Sequence, residues 1–526
     1  MIVRKESAGS QLLIRTIAER AETLFGSTEV VTLLNGSSTV TDYSSVVRRA
    51  RMLASALLKH GVGPGDCIAT LLPNVQEHLE LYFAVPGIGA VLHTLNPRMD
   101  DDALHYIVDQ AGDQMAFYSG DEGSDTPACL SRIGRRVRVG PGGGVDDFSS
   151  YEEFLEEGTP DYEFPEFDER TASTLCYTSG TTGRPRGVVY SHRSTVLHTL
   201  MQNQPDAYGI RESDTVFPIV PMYHGNAWGL PYAAAMAGAR LVLPGRLTEP
   251  LGLGEAINRH TVTFAAGVPA VWIRMMDCKA MPKLETLREV IVGGSAVPES
   301  LIRWFDELHE TTLIQGWGMT EGNPLTGVSR LPARPPKTIQ EQYALRCTQG
   351  RPVPLVNVRL SPDGDGELQL AGPTIVGGYH LLETDRGTVT EDGWLRTGDI
   401  ARILDGSYIQ LVDRTKDLVK SGGEWISSIE LENVLQGHDS VAEVAVVARP
   451  DERWGERPYA LVVLKSGAEA SPNDLRAFLS NRIPRWWIPD QIEVVSSLPR
   501  TAVGKIDKRA IRAEILASSD RGGSKS

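Results

Sequence analysis

The chain has little cysteine: five residues in 526, at 67, 129, 176, 278 and 347, and no CxxC pair. That excludes a disulfide scaffold and a zinc knuckle, and it fits buried thiols in a reducing, cytoplasmic setting. An excess of positive charge is also missing. Lys and Arg number 52 against 67 Asp and Glu, a net charge of −15. Duplex nucleic acid is bound largely through Lys and Arg on phosphates, so no nucleic-acid partner is expected. Any anionic substrate must be held by a local site. Long apolar runs are absent. The best, residues 79–95, contains Glu80, Pro86 and His93. It reads as a helix, a break and a buried element, so no stable membrane insertion is expected. The charged N-terminus has no apolar stretch behind it, which predicts no signal peptide.

What is present is globular in texture, with 41% hydrophobic and 23% charged residues. The length allows about three to four domain-sized units. Apolar residues at helical spacing cover 11–25 and 44–60, and a short strand (CIATLLP) follows at 67–73. Further short strands are predicted at 217–220, 240–243, 262–266, 289–292 and 312–315. Strands alternating with helices predict α/β layers around a largely parallel sheet, with functional loops at the carboxyl ends of strands. Residues 119–165 and 331–342 read as loops. From about 351 the texture becomes β-rich. From about 417 a compact α+β unit is predicted, with helix 427–437, strands 443–448 and 459–464, and helix 472–481. Residues 518–526 read as a disordered tail.

The strongest motif is TSGTTGRPRG at 178–187, after an apolar strand and before a β-branched run. Thr178, Ser179, Gly180, Thr181, Thr182 and Gly183 make a loop dense in N–H and hydroxyl donors that can wrap phosphate oxygens, and Arg186 adds a permanent charge. A ligand-free Ser/Thr/Gly turn is the alternative. GxxxxGK[ST] is absent here, which argues against a P-loop kinase or GTPase. Thr320 and Glu321 in QGWGMTE put a hydroxyl beside a carboxylate, as a Mg²⁺–phosphate site requires. A helix cap followed by its acid reads equally well. Asp399 in TGD fits a ribose partner or a plain Asx-turn.

With PMYHGNAW (221–228), GGSAVP (293–298), QGWGMTEGNP (315–324), GWLRTGDI (393–400), DRTKDLVKSGGEWISSIELE (413–432) and RTAVGKIDKRAIR (500–512), the chain resembles the adenylate-forming superfamily over nearly its whole length. The resemblance implies ATP, Mg²⁺ and CoA, and an N-terminal adenylation region over 1–412. Within it lie two layered α/β subdomains and a β-rich one. A hinge at 413–418 and a small mobile C-terminal α+β lid at 419–517 follow. It implies that Lys505 neutralises charge between the attacking carboxylate and the α-phosphate. Thr320 contacts phosphate and Glu321 holds the metal. Gly293, Gly294 and Ser295, with Gln315, Gly316 and Trp317, form the adenine slot, which Gly318 adjoins. Asp399 takes the ribose hydroxyls, Arg414 takes the ribose or phosphate, and Lys416 is the pivot. Ser421, Gly422, Gly423, Glu424 and Trp425 line the CoA path. His224, Gly225, Asn226, Trp228, Gly318 and Met319 line the acyl pocket, with His224 near the carboxylate and Trp228 as a gate.

Residues 216–235 contain no Asp or Glu, which weighs against an α-amino acid, whose ammonium would want a buried carboxylate. VPMYHGNAW and SGGEWISSIELE resemble the bacterial medium- and long-chain fatty acyl-CoA ligases, and these imply a homodimer by analogy. Two positions depart from that pattern. Arg186 stands where lysine is usual, and the two are not interchangeable at phosphate. Gly225 replaces a bulkier aliphatic residue and reshapes the pocket beside His224. The expected function is therefore an AMP-forming fatty acid–CoA ligase. The alternatives are an aryl-acid or specialised-metabolite CoA ligase, or an adenylating enzyme with a non-CoA acceptor or another oxyanion such as nitrite.

Overall fold

The computed structural model describes residues 11–34, 36–120, 125–140, 150–178, 184–364, 366–381, 387–422, 424–480, 482–500 and 506–522. The chain divides into two compact units. The first is Met1–Asn357, Leu370–Leu395 and Gly406–Tyr408; the second is Val358–Gln369, Arg396–Asp405 and Ile409–Ser526.

The first unit holds two sheets. The larger runs Arg351–Pro352, Gly327–Val328, Thr312–Trp317, Glu289–Gly293, Phe264–Gly267, Thr215–Pro218, Arg240–Leu243, Glu29–Leu34, Ser37–Asp42. Its pairs are parallel from Thr312–Trp317 to Glu29–Leu34 and antiparallel at both margins. The smaller runs Arg135–Val139, Met115–Ser119, Cys67–Leu71, Val91–Thr94, Ala172–Thr178, Arg186–Ser191, and only its last pair is antiparallel. Parallel strands covered on both faces read as continuous apolar runs, and EVIVG at 289–293 is one. Its Val290 and Val292 pack with Trp272, Leu301 and Phe305 from the neighbouring helices.

The second unit carries a four-stranded sheet, Asn357–Leu360, Glu367–Ala371, Leu395–Leu404 and Tyr408–Arg414. A second sheet follows, ordered Glu424–Ile426, Val419–Ser421, Gly455–Leu464, Val441–Asp451, with Gln491–Val494 pairing beside Gly455–Leu464. Alternation along Val441–Asp451 sorts its two faces. Val444 and Val446 meet Leu431, Leu435, Leu475 and Leu479 of helices Ser428–Gln436 and Pro472–Ser480. Ala445 and Val447 meet Ile511 of helix Lys508–Gly522.

The mixed α/β class, with a large N-terminal region and a smaller C-terminal part, is as expected. Three local readings change. Residues 119–165 contain the edge strand Arg135–Val139 and helix Tyr151–Glu156. The strand is RRVRV, and its arginines masked the alternation. Residues 331–342 run into helix Ile339–Arg346, started by a reciprocal Thr338–Glu341 capping box. Helix Lys508–Gly522 extends into the segment read as a tail. Residues 79–95 are buried helix Gln76–Gly87 and then strand Val91–Thr94. Among the described residues no helix is long and apolar enough to cross a membrane.

Several histidines are buried in the first unit. His192 accepts the Ile14 N–H at Nδ1, 3.1 Å away, and burial holds its pKa down to about 4. Burial likewise holds His78 to about 4 and His198 to about 3. An unfolded chain takes up these protons near pH 6.5, while the fold does not until far lower. Stability is therefore fully present above about pH 6.5 and is lost as pH falls towards 4. Thermal unfolding followed from pH 7.5 to 4.5 is expected to show a falling Tm. His192→Asn, which keeps an acceptor for Ile14, should make stability less steep in pH by up to about 1.4 kcal/mol per unit, one proton's worth. An unchanged slope would show that His192 is not among the groups that titrate on unfolding.

Candidate active site

Three motif loops leave the same end of the nine-stranded sheet. Strands Thr215–Pro218, Phe264–Gly267, Glu289–Gly293 and Thr312–Trp317 are parallel neighbours in register, with Pro218 beside Ala266, Gly267 beside Val292, and Gly293 beside Gly316. PMYHGNAW, GGSA and QGWGMTE therefore emerge side by side at the carboxyl ends, where open α/β sheets bind ligands. Gly293 and Gly316 meet closely: a Cβ on Gly293 would lie 2.5 Å from the Gly316 carbonyl oxygen. Gly294, at φ +88°, and Ser295 are exposed on this rim. Gln315 is buried, and its side-chain oxygen has no hydrogen-bond partner among the described residues.

The TSGTTG loop leaves strand Ala172–Thr178, where Thr178 pairs with Arg186 across the antiparallel margin. Ser179, Gly180, Thr181, Thr182 and Gly183 lie outside the described residues. Arg186 stacks over the Tyr379 ring, 4.3 Å from its centroid. The Tyr379 hydroxyl donates to Glu321 Oε1 at 2.5 Å, and the Tyr190 hydroxyl donates to the Thr320 carbonyl at 2.7 Å. Two tyrosines thus bring the strand behind the loop and the Thr320–Gly322 turn together.

Residues 225–229 form a left-handed turn. Gly225, Asn226, Ala227, Trp228 and Gly229 have φ of 51°, 53°, 49°, 54° and 78°. For the three non-glycine residues this costs about 1–2 kcal/mol each, so surrounding contacts must hold the turn. Asn226 lies between strand residues: its Nδ2 donates to Thr174 Oγ1 at 3.4 Å, and the Cys176 thiol reaches its Oδ1 at 3.8 Å. Trp228 is 8% exposed, and its ring stands 3.5 Å from where a Gly293 side chain would begin. A side chain on Gly225 would meet Pro324 at 3.3 Å, so the Gly225 departure acts at that contact. His224 is half-buried just before the turn, and Gly318 and Met319 lie half-buried between Trp317 and Thr320.

In the second unit Asp399 is buried and ion-paired to Arg414 Nε at 3.0 Å. Lys416 is exposed, between segments tied down by Asp413, which accepts the Ser428 N–H at 2.5 Å, and by Asp417, paired with Arg512 at 2.6 Å. Ser421 is buried, while Glu424 and Trp425 are exposed. Gly422 lies at φ +62° with the Trp454 ring against it, and its N–H donates to the Trp454 carbonyl at 2.8 Å. Gly423 and Lys505 lie outside the described residues.

Residues 18–380 match the family model of the AMP-binding enzymes, and 430–505 match that family's C-terminal domain. The chain belongs to the AMP-binding enzymes. It is 42% identical to a long-chain-fatty-acid–CoA ligase of Thermus thermophilus, covering 94% of both chains. It is 39% identical to a 3-methylmercaptopropionyl-CoA ligase of Ruegeria lacuscaerulensis, covering 96% of this chain and 97% of that one. The crystal structure of the anthranilate CoA ligase AuaEII with anthranoyl-AMP shares the fold at TM-score 0.86 and 22% identity, over 97% and 98% of the two chains. This AMP-binding enzyme is an acid–thiol ligase of the AMP-forming kind, using ATP and CoA.

Several residues of this AMP-binding enzyme that shape the site lie outside the motifs. Asn74 donates to the Pro218 and Val220 carbonyls, each at 2.9 Å, and accepts the Met222 N–H at 2.7 Å, so one buried amide sets the path of PMYH. A polar residue straight after a strand-ending proline was the available signal. Tyr379 and Trp454 gave none, being far in sequence from what they touch. Among the described residues no cluster of three or more His, Cys, Asp or Glu could enclose a metal. Glu321, one carboxylate steadied by the Tyr379 hydroxyl, fits Mg²⁺ that takes its remaining ligands from substrate phosphates and water. Tyr379→Phe is expected to raise the Mg²⁺ concentration for half-maximal pyrophosphate release by about tenfold, the loss of one hydrogen bond to a charged group, with Tm little changed. An unaltered Mg²⁺ dependence would mean that the Tyr379–Glu321 contact is purely structural.

Proposed function

We propose that this enzyme activates a medium- or long-chain fatty acid as acyl-AMP and passes the acyl group to CoA. One observation carries the acid class: the segment 216–235, which leads from the sheet edge through the Trp228 turn, contains no carboxylate to greet a charged tail. The 42% identity to a long-chain-fatty-acid–CoA ligase supports it. A short thioether acid is the second reading, supported by the 39% identity to the 3-methylmercaptopropionyl-CoA ligase.

In the first half-reaction a carboxylate oxygen attacks the α-phosphorus of ATP, and pyrophosphate leaves. Mg²⁺ held by Glu321 supplies charge neutralisation on the phosphates. The TSGTTG loop and Arg186 cradle them, and Thr320 contacts the α-phosphate. Gln315, whose buried side-chain oxygen lacks a partner among the described residues, and the Gly293–Ser295 rim take the adenine, while Asp399 takes the ribose and Arg414 the ribose or phosphate. Lys505 neutralises charge building between acid and phosphate, and His224 lies at the carboxylate. The protein's work here is positioning and screening. In the second half-reaction the lid, 419–517, turns about Lys416 in the hinge 413–418 relative to 1–412. Residues 421–425 then line the CoA path, the thiolate attacks the acyl carbon, and AMP leaves. A cytoplasmic setting, supported by the buried thiols of Cys67, Cys129 and Cys176, and a homodimer complete the reading.

Pyrophosphate release is to be measured with octanoate, palmitate, 3-(methylthio)propanoate, benzoate and nitrite, each with and without CoA. CoA-dependent turnover with a fatty acid is expected. Turnover confined to benzoate, or indifferent to CoA, would overturn the proposal. Lys505→Ala should lower adenylation by about 10²–10³-fold, the scale of one lost charge-stabilising group, while thioester formation from supplied acyl-AMP survives.

A further inference from the structure

Helix His192–Gln202 starts on a Ser191–Ser194 capping box and sets His198 and Gln202 one turn apart on one face. Both are buried, at 2% and 0% exposure. Neither belongs to any of the motifs. His198 Nε2 accepts the Leu325 N–H at 3.2 Å. The Gln202 side-chain N–H donates to the Trp228 carbonyl. Between them sits Gly229, where a Cβ would stand 2.9 Å from the His198 ring and 2.8 Å from Gln202 Oε1. One helix face therefore grips two loops: the end of the left-handed turn, and Leu325, three residues past the Thr320–Gly322 turn.

The two loops also touch each other. Pro324 packs against Gly225, and its carbonyl oxygen fills the place a Gly318 side chain would need. A turn of L-residues at positive φ is uphill by itself and keeps its shape only where tertiary bonds over-determine it. The Gln202 bond ends on the carbonyl of Trp228 itself. The His198 bond requires a neutral ring, and burial holds that pKa to about 3, so Nε2 stays an acceptor at working pH.

We propose that His198 and Gln202 are positioning residues that clamp the Trp228 turn to the Thr320–Glu321 turn, keeping the acyl and nucleotide subsites in one relative geometry. This rests on the reading of Trp228 as an acyl-pocket residue. The pair touches no reacting atom; it acts through two backbone contacts on one helix face.

The test compares wild type, Gln202→Leu, Gln202→Met, His198→Phe and His198→Gln, with exposed Gln204→Leu, two residues past the helix, as control. Hydrogen exchange is followed in peptides spanning 222–233 and 319–328. Kinetics are measured with octanoate, 3-(methylthio)propanoate and ATP. Gln202→Leu should speed exchange in 222–233 by about tenfold and raise KM for the acid by about tenfold, with kcat and the ATP KM within about threefold. Gln202→Met, which keeps the length and loses the donor, should do the same if the leucine variant folds poorly. His198→Phe should speed exchange in 319–328 and raise both KM values. His198→Gln, which restores an acceptor, should recover most of the loss. Wild-type exchange and wild-type acid KM in these variants would overturn the clamp, as would a uniform rise in exchange over the whole chain. If the wild type turns over neither acid while local exchange still changes as expected, the acid reading falls and the clamp stands.

Discussion

The register of four parallel strands is the constraint on which the rest of the site depends. Pro218, Ala266, Val292 and Gln315 lie near the ends of neighbouring strands, so every loop that follows begins at one rim. Parallel strands end their apolar runs together, and the backbone beyond them is free to turn towards a ligand. Gly293 and Gly316 let two of those loops approach to backbone distance, and larger residues there would force them apart. The site is thus a consequence of how the core strands align, with the loops adding chemistry to an edge that the core has already drawn.

The left-handed turn at 225–229 shows what that alignment has to support. Its φ values are unfavourable for asparagine, alanine and tryptophan, and the cost is offset by burial and by bonds reaching Thr174, Cys176 and Gln202. Those partners come from strand Ala172–Thr178, which precedes the TSGTTG loop, and from helix His192–Gln202. The 225–229 turn is therefore held by the same pieces of chain that flank the TSGTTG loop. In the AMP-binding enzymes the acid and the nucleotide must meet at one bond, and shared supports are a direct way to keep their subsites in step.

Buried polar tips do much of the fastening. Tyr190 and Tyr379 reach the Thr320–Glu321 turn, Tyr82 reaches the Met222 carbonyl at 2.5 Å, and Asn74 gathers three backbone groups of the 218–222 segment. An irregular loop next to a core carries backbone N–H and C=O groups that no sheet or helix will pair. Tyrosine suits the task, since its ring fills core volume while its hydroxyl meets one such group.

The sequence by itself determined the class, the alternation of helix and strand, and the motifs. Each of these is local: hydrophobic period, turn chemistry and ordered loops such as TSGTTG and QGWGMTE are written in consecutive residues. The edge strand Arg135–Val139 escaped because a strand with three arginines in five residues hides its period, and helix Ile339–Arg346 because prolines precede its cap. Only the tertiary structure decided that Tyr379 meets Glu321, that Trp454 covers Gly422, that Gly225 faces Pro324, and that His198 and Gln202 share a helix face with two loops in their grasp. These contacts join residues far apart in the chain. Their partners are chosen by strand register and packing, which no short window of sequence contains.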